Sequence, residues 1–206
     1  MLRIWGRTSS INVQKVLWCC AELDLAYERI DAGLQFGVVD TPEYRARNPN
    51  ALVPTIDEDG FVLWESNVIV RYLASTYGLG KLCPADARQR YAAEKWMDWQ
   101  AIAVWPAFRV VFLGLVRTPP EKRDESAIEA ARKETLRVLP VLDDQLRMTR
   151  FVGGDVFTMG DIPLGTAIHR CFALGVERDA FPNIARWYDG LAERRAYREH
   201  VMLPLS

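Results

Sequence analysis

Two periods of apolar residues run along the chain, and they change over near residue 78. Leu2 to Trp5 reads as a short strand, followed by the polar turn Arg7-Thr8-Ser9-Ser10. Val13, Val16, Leu17 and Cys20 then recur at helical spacing, one apolar face of a helix ending near Leu23. Tyr27 to Asp31 is a second strand, Gly33 and Gly37 mark a loop, and Thr41-Pro42 starts a short helix. Leu52 to Ile56 and Phe61 to Trp64 are apolar runs parted by Asp57-Glu58-Asp59-Gly60. Asp-Gly at that point predicts a hairpin, because glycine accepts the positive φ of the turn. Val68, Ile69, Tyr72, Leu73 and Tyr77 align as a helix stopping at Gly78. The predicted order is β-α-β, a loop with a short helix, then β-β-α.

Residues 79–86 lose all periodicity and read as a linker, so residues 1–78 form one small α/β domain. Residues 87–206 read as all-helical. Ala92, Trp96, Trp99, Ala103, Pro106, Val110 and Leu113 are spaced like a heptad seam, with a kink expected near Ile102 because Pro106 lacks an N–H. Trp96, Trp99, Trp105 and Phe108 on that helix fit core or dimer contacts better than a substrate pocket. Thr118-Pro119-Pro120-Glu121 has the form of a capping box leading into a helix over Ile128 to Leu146, kinked at Pro140. Thr158-Met159-Gly160-Asp161 is a second box, with Phe157 and Ile162 at the positions of a hydrophobic staple. Phe181-Pro182-Asn183 starts a last helix to about Arg195.

Composition narrows the function classes. A formal net charge of −1 gives no bulk attraction to nucleic acid or an anionic membrane. No apolar run is expected to approach the roughly 18 residues of a bilayer span, and the first residues lack a signal-peptide pattern. Cys19, Cys20, Cys83 and Cys171 form no CxxC pair, which fits free thiols in a reducing cytosol. Two histidines and no HExxH leave no expected metal site. The charge run from Glu121 to Glu134 and Arg194, Arg195 and Arg198 read as solvated faces.

A few residues carry candidate chemistry. Ser10 fits an N-cap, or a hydroxyl held at a ligand sulfur; Asn12 is open in the same way. Pro54 suits an edge strand. If its peptide bond is cis, the N–H and C=O of Val53 face outward and can pair with an extended peptide. Glu65 and Ser66 open a helix, where free N–H groups and a partial positive charge seat a carboxylate; Glu65 could pair with an ammonium group.

Together these segments resemble the cytosolic glutathione S-transferases over essentially the whole chain. The resemblance rests on Asn48-Pro49-Asn50-Ala51-Leu52-Val53-Pro54, on Leu63 to Leu73 around Glu65-Ser66, and on Phe157 to Ile162. Trp5-Gly6-Arg7, Asn12 to Leu17, Glu94 to Trp99 and Gly114 to Glu121 are similar to a bacterial branch of that family. It implies an α/β thioredoxin-like domain followed by an all-α bundle, commonly as a homodimer. It further implies that the Ser10 hydroxyl donates to the glutathione sulfur and that Asn12 supports the same end. Val53 would pair with the cysteinyl backbone beside a cis-Pro54, and Glu65 and Ser66 would hold the γ-glutamyl end. The loop Leu34 to Asp40 carries no cation for the glycine carboxylate, leaving Val39 main-chain contacts only.

The expected function is transfer of glutathione to a small electrophile, with Arg7 and Arg109 holding an anionic, haloacid-like substrate or else lying on the surface. A glutathione-dependent disulfide reductase and a non-enzymatic scaffold of the same fold are the alternatives. The reductase is disfavoured because Cys19 and Cys20 lie well inside the helix, where they read as packing residues.

Overall fold

All 206 residues are described by a computed structural model. Its sheet has four strands, β1 (Leu2–Trp5), β2 (Tyr27–Ile30), β3 (Thr55–Glu58) and β4 (Phe61–Trp64), in the order β2-β1-β3-β4. β1 pairs parallel with β2 and antiparallel with β3, and β3 pairs antiparallel with β4. Helix α1 (Ile11–Glu22) supplies the crossover that the parallel pair β1 and β2 needs, α2 (Pro42–Arg47) bridges β2 and β3, and α3 (Ser66–Tyr77) follows β4. The hairpin closes on Asp59 and Gly60, both at positive φ (51° and 92°), as the Asp-Gly pair predicted. Its first strand begins at Thr55, not Leu52, because Pro54 has no N–H for the ladder. The thioredoxin-like order read from the sequence is the order observed.

After the linker comes helix α4 (Ala87–Trp99), then α5 (Trp105–Phe112), α6 (Glu125–Val138), α7 (Pro140–Met148), α8 (Asp161–Ala173), α9 (Pro182–Ala192) and α10 (Arg195–His200). The linker is packed: Leu82 and Cys83 are buried, and the Leu82 carbonyl accepts from the Met159 N–H at 2.8 Å. α1 is the shared element of the two halves, packing on α3 on one side and on α8 and α10 on the other. Its Trp18 is fully buried against Phe157 and Tyr197. Gly165 admits that ring, since a Cβ there would lie 2.8 Å from it.

Several expectations are corrected. α4 and α5 form one run to Arg117 through two π-helical segments, Gln100–Val104 and Leu113–Arg117. Each wide turn inserts a residue and shifts the phase, so the buried face is Ala93, Trp96, Met97, Gln100, Val104, Ala107, Phe108 and Val111, while Pro106 and Val110 of the predicted seam are exposed. The first wide turn ends just before Pro106 and absorbs its missing N–H. This run, Ala87–Arg117, is also long and apolar enough by length and composition to cross a membrane, contrary to the expectation of no such stretch. It packs on α6 and α8 and walls the cavity described below, which accounts for its composition.

Thr118 does not cap the next helix. Its hydroxyl donates to the Leu113 carbonyl, and Asp124 caps α6 by accepting from the Ala127 N–H at 2.9 Å. At Pro140 the chain begins a separate helix with the proline in its first turn. Arg194 is not simply solvated: it pairs with Glu22 of α1 and lies 3.9 Å from the Phe157 ring centroid.

Candidate functional site

The turn after β1, the start of α1 and the loop before β3 converge with α5 around a cavity of about 390 Å³. Arg7, Ser10, Asn12, Val39, Val53 and Arg109 all line it. Pro54, Glu65 and Ser66 line two adjoining cavities of about 40 and 300 Å³, and Asn12 borders all three. The residues singled out in the sequence are thus brought together, although 102 positions separate Arg7 from Arg109 in the chain.

Ser10 occupies the N-cap position of α1 with extended backbone (φ −81°, ψ 124°), yet its side chain makes no capping bond. The hydroxyl is nearly buried, uncommitted and at the cavity wall. It stands beside the free N–H groups of the first turn, which carry a partial positive charge. The turn itself is held from below. Gln14 Nε2 donates to the Thr8 carbonyl (2.9 Å), and Arg170 of α8 donates to Gln14 Oε1 (2.7 Å) and to the Ser9 carbonyl (3.2 Å).

The Val53–Pro54 bond is cis. α2 fixes this segment: the Tyr44 hydroxyl donates to the Leu52 carbonyl (2.6 Å), and Asn48 Nδ2 donates to Leu52 O and Thr55 Oγ1 (2.9 and 3.1 Å). α2 starts as predicted, with Thr41 Oγ1 accepting from the Tyr44 N–H. Neither backbone polar group of Val53 has a partner within the chain, so the segment presents an unpaired edge to the cavity. Val39 lines the cavity too, but its N–H donates to the Gly37 carbonyl at 2.8 Å. Its main-chain donor is therefore already engaged.

Glu65 precedes α3 at φ 72°, a conformation costly for a residue with a Cβ, of order 1–3 kcal/mol. Such strain concentrates where a side chain must point a particular way. Ser66 is buried, and its Oγ lies 3.4 Å from the ammonium of Lys15. Lys15 was not singled out in the sequence beyond its place in Asn12 to Leu17, because a lysine on a helix normally reads as surface. It is 3% exposed.

The electrostatics of the main cavity are one-sided. Arg7, Arg109 and Arg117 line it, and no acidic residue does. Arg117 and Arg170 were missed in the sequence, because only tertiary packing brings them to the turn. Buried Nε atoms of Arg7, Arg117 and Arg170 have no hydrogen-bond acceptor. Burial and the neighbouring Arg117 lower the pKa of Arg7, and the same causes take Arg170 down to about 10. Trp105, Phe112, Leu113 and Leu34 supply the apolar wall, so Trp105 belongs to the cavity while Trp96 and Phe108 are core.

Residues 9–76 match the family model described as "Glutathione S-transferase, N-terminal domain", and residues 104–195 match "Glutathione S-transferase, C-terminal domain". The chain is 45% identical to Glutathione S-transferase GstB of Escherichia coli, with all of both chains covered. The chain belongs to the glutathione S-transferase family. Glutathione S-transferase F11 of Arabidopsis thaliana is 27% identical, with 98% of each chain covered. Among solved structures, the theta class glutathione S-transferase of Xanthomonas axonopodis pv. citri with glutathione bound superposes with a TM-score of 0.95 at 43% identity, covering 100% of this chain and 99% of that one. The fold of this family member is thus the transferase fold, a four-stranded thioredoxin-like domain followed by a helical bundle.

Proposed function

We propose that the protein binds glutathione along the Val53 edge and uses Ser10 to hold its sulfur as the thiolate that attacks a small, anionic electrophile. The observation that carries this reading is the uncommitted Ser10 hydroxyl at the N-terminus of α1, facing the cavity. A thiol near pKa ~8.5 is mostly protonated at neutral pH, and the thiolate is the nucleophile. Lowering that pKa by about two units takes roughly 2.7 kcal/mol of preferential stabilisation of S⁻. A hydroxyl donor and a helix N-terminus in a partly dry site are of that order together. Ser10 stabilises rather than deprotonates, because a hydroxyl is far too weak a base. The thiol proton leaves to solvent. The sulfur then forms its bond to carbon as the leaving group departs with the electron pair of the bond it breaks.

Glutathione would run with its cysteinyl backbone on Val53 beside Pro54, Asn12 near the sulfur and its γ-glutamyl end at Glu65 and Ser66, which border the adjoining cavities. The cysteines do not compete as nucleophiles. Cys19 and Cys20 are buried, and burial pushes Cys20 up to about 12 and Cys19 well above its ordinary value.

The electrophile would lie between Trp105, Phe112 and the arginines. Arg7, Arg109 and Arg117 line a cavity with no acidic residue, and a carboxylate on the substrate supplies the opposite charge that this lining lacks. Replacing Arg7 or Arg117 by Met is expected to raise KM for a haloacid about tenfold, a loss of one charge-assisted bond. A neutral aryl halide measured alongside should change less than about twofold on the same grounds. Equal effects on both substrates would overturn the anionic assignment.

The same reading makes the protein cytosolic, with domains 1–78 and 87–206, and a homodimer. The exposed Phe61, Val68, Tyr91 and Ile102 of β4, α3, α4 and the turn after it supply the apolar surface a second copy would cover. Sedimentation at twice the chain mass checks this; a monomer at all concentrations removes it.

A further inference from the structure

A buried ammonium ion sits behind the start of α3 without an acidic partner. Lys15 Nζ lies within hydrogen-bond distance of Gln100 Oε1 (3.0 Å), Asn67 Oδ1 (3.1 Å) and Ser66 Oγ (3.4 Å), all neutral acceptors. It is thereby wedged between three elements: its own α1, the first turn of α3, and the first wide turn of the long helix. Glu65 acts on it favourably from a distance, and Arg170 of α8 acts against it. Arg71 and Asp98 border the same 300 Å³ cavity and pair with each other. Burying an unpaired charge is costly unless something supplies the opposite charge, and here burial brings the ammonium down to about 7. The cavity that Lys15 borders also contains Asn12, Glu65 and Ser66.

We propose that Lys15 is the charge partner of the γ-glutamyl carboxylate of glutathione, so that ligand binding draws a proton onto its amine. The inference rests on the glutathione reading above and adds a positioning residue to it. Glu65 faces the ligand's ammonium and Ser66 its carboxylate, while Lys15 behind Ser66 neutralises the negative charge brought into the site. In the free protein near pH 7 the lysine is shared between its two protonation states. A carboxylate arriving at Ser66 favours the charged state, and the proton taken up comes from solvent. Binding is therefore strongest below the pH at which free Lys15 titrates and weakens as pH rises through it.

The test uses the full-length protein and S-methylglutathione, whose sulfur carries no proton. Wild-type affinity should fall roughly fivefold to tenfold between pH 6.5 and 8.0, the linkage expected of a group that titrates near 7 when free and stays charged across this range when bound. Calorimetry in two buffers of different ionisation enthalpy should show uptake of about three-quarters of a proton at pH 7.5 by the same linkage. Lys15→Met should bind about 30-fold more weakly at pH 6.5, the scale of one lost charge-assisted interaction, and lose the steep pH dependence. Lys15→Arg, charged throughout, should hold its affinity to pH 8.0. The ligand's own ammonium titrates alike in every protein, so differences between them isolate position 15. If Lys15→Met fails to fold, the wild-type proton uptake decides alone. Wild-type binding that is flat with pH and takes up no proton overturns the role of Lys15 while leaving glutathione in place. No wild-type binding at pH 6.5 overturns both.

Discussion

Ser10→Ala should lower turnover by about 10-fold to 10²-fold, the upper end being the whole of the roughly 2.7 kcal/mol of thiolate stabilisation. Glutathione affinity should change less than about threefold, because the remaining contacts are to the backbone of the ligand and its γ-glutamyl end. The variant should fold normally: Ser10 makes no capping bond, so its removal costs α1 nothing beyond a polar surface at the cavity. Two readouts separate the chemistry from binding. One is kcat with a neutral aryl halide; the other is the ultraviolet absorbance of the bound thiolate across pH. Wild type should show the thiolate forming below the pKa of free glutathione, and the variant should return it toward ~8.5. Equal losses in kcat and affinity would make Ser10 a binding contact. An unshifted thiol in the wild type would remove the mechanism altogether and bring the reductase and scaffold readings forward.

The two readings of Ser10 could not be parted in the sequence. An N-cap and a thiol-facing hydroxyl occupy the same place before a helix, and only the absence of a bond to the helix N–H groups distinguishes them. Local signals fared well where the chemistry is local. Asp59-Gly60 set the hairpin, Thr41-Pro42 set the start of α2, and Thr158 to Asp161 set the start of α8. The long helix fared worse, because a seam counted at regular spacing loses its phase at a wide turn, and no residue pattern announced two of them. The cationic side of the cavity was half legible. Arg7 and Arg109 were in view, but Arg117 and Arg170 arrive by tertiary packing. A usable sign was there all the same: Lys15 between Val13 and Val16, and Arg170 between Ile168 and Cys171, are single cations inside helical runs that are otherwise buried. A charge in that position needs a partner, and both turn out to stand behind the site.

Asp161→Ala should cost about 3 kcal/mol of stability at pH 7.5, because it leaves several buried donors without an acceptor at once. The carboxylate is fully buried at the start of α8. It accepts from the Thr158 N–H (2.9 Å), the Val152 N–H (3.0 Å) and Trp187 Nε1 (2.9 Å), while the Gly160 N–H donates to Thr158 Oγ1 (3.3 Å). The capping box thus extends beyond its own helix, tying the loop at Val152 and the tryptophan of α9 to the same group. Denaturant unfolding followed by tryptophan fluorescence checks the size of the loss. A change below about 0.5 kcal/mol, the range of an ordinary surface substitution, would mean these bonds contribute nothing net. The pH dependence has the opposite sign from that of a paired surface carboxylate. Burial pushes the Asp161 carboxyl up to about 6 from 3.8, against the pull of its N–H donors. The folded state therefore binds more protons than the unfolded one between those values. Stability from this group rises as pH falls through about 6, and it is absent above. Compared with Asp161→Asn, which cannot titrate, wild type should gain about 1 kcal/mol between pH 7 and pH 5 by that linkage. A difference that stays constant across the range would show that the carboxyl keeps its charge throughout, held by the three N–H groups strongly enough to outweigh its burial.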